Sequence, residues 1–110
     1  MSPGDDLIFQ LESGFGLLRV LAVEDGVWHL LAYDEFFPDV ESAEAALSRG
    51  TPLPIRKAHM ALTNRAFERT PTAKLGNRPV TDEELAAYND WLNGEREVSD
   101  RSALLMLGIR

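Results

Sequence analysis

One ten-residue run sets the architecture of this chain: Gly14-Phe15-Gly16-Leu17-Leu18-Arg19-Val20-Leu21-Ala22-Val23. In an extended strand these residues alternate between two faces, and both faces are apolar except at Arg19. That pattern is typical of a strand that is covered on both sides. The run therefore predicts a central β-strand with packing above and below it.

Turn signals bound this strand at both ends. Asp25-Gly26, after the run, predicts a type I′ hairpin, because both central residues of that turn have positive φ angles. Glu12-Ser13-Gly14, before it, predicts a second reversal of the chain. Together they indicate an antiparallel meander of three strands over residues 6–33.

The hairpin also predicts a register. A two-residue turn places Arg19 opposite Ala32, with Asp34 diagonal to Arg19 on the same face. An arginine in an apolar strand must be paired if it is buried. We therefore expect Arg19 to pair with Asp34 or another nearby acid, or else to line a small-molecule pocket together with Tyr33, Asp34 and Phe36.

Two segments after the meander have weaker patterns. Residues 39–49 carry a thin apolar stripe and are followed by Gly50, which predicts a short helix. Residues 55–62 alternate between apolar and more polar side chains, which favours a fourth strand, although the same residues are compatible with a helix. Residues 64–77 are interpreted as a loop, with Phe67 as an anchor in the core.

The strongest helix signal covers residues 82–93. Thr81 and Glu84 have the spacing of a capping box, and Val80 and Leu85 have that of a hydrophobic staple. Residues 102–109 are apolar again and favour a short helix. The alternative for this last segment is a strand that closes the sheet or pairs with a second subunit.

Length and composition bound the class of protein. The chain has 110 residues, of which 45% are hydrophobic and 26% charged, as expected for one globular domain over residues 1–110. We predict an α+β fold, a curved antiparallel sheet or small barrel of four to five strands with two or three covering helices. With no cysteine, no targeting signal and no long apolar run, a cytoplasmic location is expected.

The charges are unevenly distributed. Residues 1–48 contain ten acids and one base, residues 49–80 one acid and seven bases, and residues 81–110 seven acids and three bases. Either the middle block lies against its acidic flanks, or it forms a basic binding face on an acidic body. In the second case the chain would contact nucleic acid through its basic side chains, chiefly Arg56, Lys57, Arg65, Arg69, Lys74 and Arg78.

No catalytic or metal-binding pattern is present in the sequence. His29 and His59 do not have the spacing of metal ligands, and no serine lies in a nucleophile elbow. We therefore expect a protein that is not an enzyme and that needs no cofactor or metal.

The residues Gly4-Asp5-Asp6-Leu7-Ile8-Phe9-Gln10-Leu11, followed by Gly14 to Leu21, resemble the N-terminal part of the bacterial immunity protein 26 family and similar small domains. The resemblance covers about the first third of the chain. It implies a curved SH3-like sheet and a bacterial cytoplasmic protein that neutralises a toxin by binding it.

These observations favour a non-enzymatic protein-binding module. Its acidic N-terminal block would suit a basic protein partner, with association accelerated by electrostatic steering. The apolar segment 102–109 could also support a homo-oligomer. The alternatives are nucleic-acid contact through the basic block and a small-molecule pocket near Arg19.

Overall fold

The structure, a computed structural model, describes residues 1–109 as an α+β fold. Five antiparallel strands form one open, curved sheet, in the order β4-β3-β2-β1-β5, and four short helices cover it. The strands are β1 (Asp5–Leu11), β2 (Gly14–Glu24), β3 (Val27–Tyr33), β4 (Ile55–Thr63) and β5 (Thr72–Asn77). The helices are α1 (Val40–Ser48), α2 (Asn64–Glu68), α3 (Asp82–Leu92) and α4 (Ala103–Leu107).

Strand β2 lies at the centre of the sheet and is covered on both faces, as its sequence predicts. Leu18 and Val20 belong to one hydrophobic core, which α2 and α4 close. Leu17 and Leu21 belong to a second core on the opposite face, which α1 and α3 close. The alternation along one strand therefore serves two separate cores.

The β2–β3 hairpin has the predicted turn but only part of the predicted register. Asp25 and Gly26 have φ angles of 54° and 75°, and Val23 pairs with Trp28 as expected. A bulge at Leu21 then shifts the pairing by one residue, so that Arg19 lies opposite Leu31 and not Ala32. Such an extra residue turns the following side chains to the other face.

The helices predicted over residues 39–49 and 82–93 are present, and the second has the predicted cap. Asp39 caps α1 by accepting a hydrogen bond from the backbone N–H of Ser42. At α3 the capping box is complete, because Thr81 accepts from the backbone N–H of Glu84 and Glu84 accepts from that of Thr81. The sheet thus receives two well-defined helices on the face of Leu17 and Leu21.

The prediction of a loop over residues 64–77 is wrong. Thr63 caps the short helix α2, and Phe67 within it stacks on Trp28 with ring centroids 3.9 Å apart. Residues 72–77 form β5, which pairs with β1. In this edge strand the alternation of polar and apolar residues covers only Thr72 to Leu75 before Gly76, which is too short a run to identify a strand from the sequence.

The apolar C-terminal segment folds back onto its own chain. Ala103 and Leu107 of α4 are buried in the core with Leu18, while Leu105 is 69% exposed. No helix among residues 1–109 is long and apolar enough to cross a membrane.

Candidate functional site

Arg19 is buried, with 1% of its surface exposed, and all three of its guanidinium nitrogens are hydrogen-bonded. Nε donates to Oε2 of Glu84 at 2.6 Å, and Nη1 donates to the carbonyl of Gly4 at 2.9 Å and to Oδ1 of Asp6 at 3.3 Å. Nη2 donates to the carbonyls of Arg78 and Pro79, both at 3.0 Å, and to Glu84. No donor group of Arg19 remains directed at a ligand.

Asp6 and Glu84 therefore take the place that the sequence suggested for Asp34. Asp6 lies directly across from Arg19 on β1, and Glu84 reaches it from the first turn of α3. Because the bulge at Leu21 shifts the register, Asp34 does not face Arg19 and pairs instead with Arg56 at 2.9 Å. The arginine thus connects β1, β2 and α3.

The network extends outward through Arg78. Its Nε and Nη2 donate to the two oxygens of Asp6 at 2.7 and 2.8 Å, and Nη2 also reaches the Tyr33 hydroxyl at 3.4 Å. The backbone is equally close-packed here. Gly4 has a φ of 92°, and a β-carbon at this position would collide with the carbonyl oxygen of Arg78.

Burial and pairing act on the acidities of these groups in opposite directions. Burial favours the neutral form of Glu84, but hydrogen bonds from Arg19 and from the Thr81 backbone outweigh it and lower the pKa of Glu84. The hydrogen bonds to Asp6 raise the pKa of Arg78. For Tyr33, burial is the dominant cause and raises the pKa of the hydroxyl. The four ionised groups, Arg19, Arg78, Asp6 and Glu84, carry no net charge together.

A cavity of about 570 Å³ opens beside this network, between α1 and α3. We call it the α1–α3 groove. Tyr33 and Leu31 of β3 form part of its lining, together with residues of β4, of both helices and of the loop after α1. The full lining consists of Leu31, Tyr33, Ala46, Leu47, Gly50, Thr51, Pro52, Leu53, Ile55, Ala58, Arg78, Thr81, Glu83, Glu84, Ala86, Ala87 and Asp90.

The groove exists because the side chains that line it from three directions are small. Ala46 lies on α1, Ala58 on β4, and Ala86 and Ala87 on α3. The larger residues of α3, such as Tyr88, pack against the sheet, so that the middle of this helix presents the small side chains of Ala86 and Ala87 to the groove. Its volume lies within the range of roughly 300–1,000 Å³ that is usual for ligand sites.

The groove combines an apolar lining with a few ionisable side chains. Among residues 1–109 these are Tyr33, Arg78, Glu83, Glu84 and Asp90. Glu83 and Asp90 are exposed at its edge, and within residues 1–109 neither forms an ion pair. Residues 1–109 contain no group of three or more potential metal ligands among His, Cys, Asp and Glu.

A second cluster lies under α3, away from the groove. His29 Nδ1 and His59 Nε2 are 2.9 Å apart, and the ring of His29 packs against Tyr88 and Trp91 with centroids 4.5 and 4.6 Å away. Burial lowers the pKa of His29. Burial, followed by the neighbouring His29, lowers the pKa of His59 to about 4. Both rings are neutral near pH 7.

The remaining residues that the sequence singled out lie elsewhere. Phe36 is 42% exposed and does not line the groove, while its neighbour Phe37 is buried in the core beneath α1 and α3. Lys57 is exposed, and Arg65 pairs with Asp100 at 2.7 Å. Of the eight candidates, the structure brings Arg19, Tyr33 and Arg78 together in one network, and it joins Asp34 and Arg56 in a separate ion pair.

Sequence reasoning missed Asp6 and Glu84, although both had signals. A two-residue turn at Glu12-Ser13 places Asp6 opposite Arg19, and the capping box fixes Glu84 at the start of α3. The pocket that the sequence suggested near Arg19 shares only Tyr33 with the groove, because the position of a cavity depends on how the helices pack on the sheet.

Comparisons of the chain with protein-family models, with curated proteins and with solved structures found no match.

Proposed function

We propose that this chain is a non-enzymatic binding module for a basic protein partner. The observation that supports the proposal is that most basic side chains of residues 49–80 form ion pairs with acids of the same chain. Four of the seven bases in residues 49–80 form ion pairs with acids outside that block: Arg56 with Asp34, Arg65 with Asp100, Lys74 with Asp5, and Arg78 with Asp6.

The acids of the two helices beside the groove remain at the surface. Glu41 and Glu44 on α1 and Asp82, Glu83 and Asp90 on α3 are all exposed, and none forms an ion pair within residues 1–109. Such a face attracts a basic protein over a distance of about 10 Å at moderate ionic strength. If the resemblance to immunity proteins extends to function, the partner is a toxin in the bacterial cytoplasm, and binding neutralises it.

The proposal is tested by affinity capture from the native lysate at low and at moderate salt, followed by measurement of association rates with the captured protein. We expect one basic partner, whose association rate falls steeply as salt rises. The double variant Glu41→Lys/Asp82→Lys should slow association at least tenfold. The matched variant Glu12→Lys/Glu95→Lys, with the same change in charge elsewhere, should not.

Capture of no basic protein at low salt, or equal slowing by both double variants, would contradict the proposal. Retention of nucleic acid would instead favour the basic block. That alternative has lost support, because most of its arginines and lysines are already paired.

A small-molecule ligand is the second candidate, and the volume of the α1–α3 groove favours it. The cavity lies next to the Arg19 network and Tyr33 lines it, whereas Arg19, Asp34 and Phe36, which the sequence-based alternative also included, do not. A ligand-observed NMR screen of small amphipathic compounds tests it. Compounds that bind the native chain and are displaced when Ala86→Leu fills the groove would establish this candidate.

A further inference from the structure

Helix α3 carries a second stripe beside the one that packs on the sheet. Glu83, Ala86, Ala87 and Asp90 follow one another at intervals of three, one and three residues, which places them on one side of the helix. All four line the α1–α3 groove. The stripe presents an apolar gap with a carboxylate at each end, and the two ends are about 10 Å apart along the helix axis.

The opposite wall and the mouth of the groove are apolar as well. Leu47 of α1 and Leu53 of the following loop are only half-buried, and Ile55 is 53% exposed at the start of β4. Binding is favourable when such apolar surface is removed from water. The groove therefore favours an occupant with an aliphatic group.

The charges of the groove favour an occupant that is also cationic. Among residues 1–109, Arg78 is the only base in the lining, and two of its nitrogens donate hydrogen bonds to Asp6. Glu84 is likewise held by Arg19. Of the three carboxylates in the groove lining, those of Glu83 and Asp90 form no ion pair within residues 1–109, and they lie one on each side of Ala86 and Ala87.

We infer that the α1–α3 groove binds an extended segment of the protein partner in which one aliphatic side chain has a lysine or arginine two residues away on each side. This inference rests on the proposed function. In an extended chain these three side chains share a face, and the outer two are about 13 Å apart. Long, flexible lysine side chains can adjust that spacing to the carboxylates of α3.

The probe for this inference is a capped peptide with the core Lys-Ser-Leu-Ser-Lys, titrated into the ¹⁵N-labelled protein at low salt. We expect saturable shifts of the backbone amides of Ala58, Ala86 and Ala87. A peptide in which serine replaces the central leucine should bind at least tenfold more weakly. A peptide with glutamate in place of both lysines should not bind.

Two pairs of variants locate the site. Ala86→Leu fills the groove and should weaken binding at least tenfold, while Ala45→Leu adds the same side chain to an exposed alanine of α1 that does not line it. Both keep a good helix former at a helical position. Glu83→Gln/Asp90→Asn should abolish the preference for lysine, and Glu12→Gln/Glu95→Gln should leave it unchanged.

The outcomes separate this inference from the proposed function. Two results would show that the groove is not the site: equal binding of the peptides with and without leucine, or the same effect of Ala86→Leu and Ala45→Leu. Either result overturns the inference, although a basic partner can still bind the acidic face. Absence of any binding by the lysine peptide also overturns it. The proposed function is tested separately, by the association rates of the captured partner.

Discussion

Arg19 illustrates at the residue scale how a buried charge can organise a fold. Its hydrogen bonds end on two carboxylates and three backbone carbonyls, from segments far apart in the chain. Removing one partner of a buried ion pair leaves the others without compensation, which is far more costly than losing a pair at the surface.

We expect Arg19→Met to lower the free energy of unfolding by about 3–5 kcal/mol. Arg19→Lys keeps the charge but supplies three donors in place of five, and should lose an intermediate amount. Arg65→Met, which removes an exposed pair with Asp100, is the control and should lower the free energy of unfolding far less than Arg19→Met does. Urea denaturation measures all three, and an effect of Arg19→Met no larger than that of Arg65→Met would contradict a structural role.

Asp34 shows why the partners of Arg19 could not all be read from the sequence. The type I′ turn and the covered strand were predictable, because both depend on local residue types. The bulge at Leu21 has no local signal, since leucine is as suitable for a regular strand, yet this single residue moves Asp34 away from Arg19. Asp6 was within reach of the prediction, because its position depends only on the length of the first turn.

At the scale of elements, the contact between α3 and the sheet contains two histidines. His29 on β3 and His59 on β4 lie beneath Tyr88 and Trp91 of α3, and Tyr88 in turn donates to Glu24 at 3.3 Å. A charged imidazole is unfavourable in this aromatic layer, because burial removes the water that would solvate it. The helix is therefore held best when both rings are neutral.

We expect the free energy of unfolding to fall as pH is lowered from about 6.5 towards 4. The pKa of His59 is lowered from 6.5 to about 4 in the folded chain, so the unfolded chain binds more protons in this window, and acid favours it. The loss should be on the order of 1–2 kcal/mol, because the ring is partly open to solvent. Denaturation at several pH values measures it.

His59→Gln should flatten this dependence between pH 7 and 5. Asp39→Asn is the control, because the hydrogen bonds from Ser42 lower the pKa of Asp39, and its carboxylate titrates below that window. A slope that His59→Gln leaves unchanged would show that other groups cause the acid sensitivity.

Some elements were open to prediction and others were not. Helix α3 was evident because its cap, staple and stripe agree, whereas the pattern of β5 covers only four residues and the strand depends on pairing with β1. The groove was beyond prediction for a related reason. In a sequence, alanines that line a groove cannot be distinguished from alanines at ordinary surface positions. The position of the opposing helix reveals the difference.

The charge pattern acquires its meaning only at the scale of the whole molecule. Along the sequence, residues 49–80 look like a basic binding face, but folding brings them against acids from both flanks. The net charge of −7 then dominates the outer surface. Binding of nucleic acid needs unpaired cations along a continuous track.

We therefore expect no binding of labelled duplex or single-stranded DNA at low salt, measured by fluorescence anisotropy. A variant that frees cations without adding any, Asp34→Asn/Asp100→Asn, is the informative comparison, because it releases Arg56 and Arg65. Saturable DNA binding by the native chain would contradict the acidic surface described here.

The order of the strands has a consequence for how the chain reaches this structure. The last strand, β5, lies beside the first, β1, so during synthesis β1 has an unpaired edge until residues 72–77 arrive. Glu84, which completes the surroundings of Arg19, arrives later still. Contacts between such distant segments require large loops to close, and proteins dominated by them fold on the order of milliseconds to seconds. A ribosome-bound chain that stops before these residues therefore exposes the unpaired edge of β1 and has only Gly4 and Asp6 as partners for Arg19.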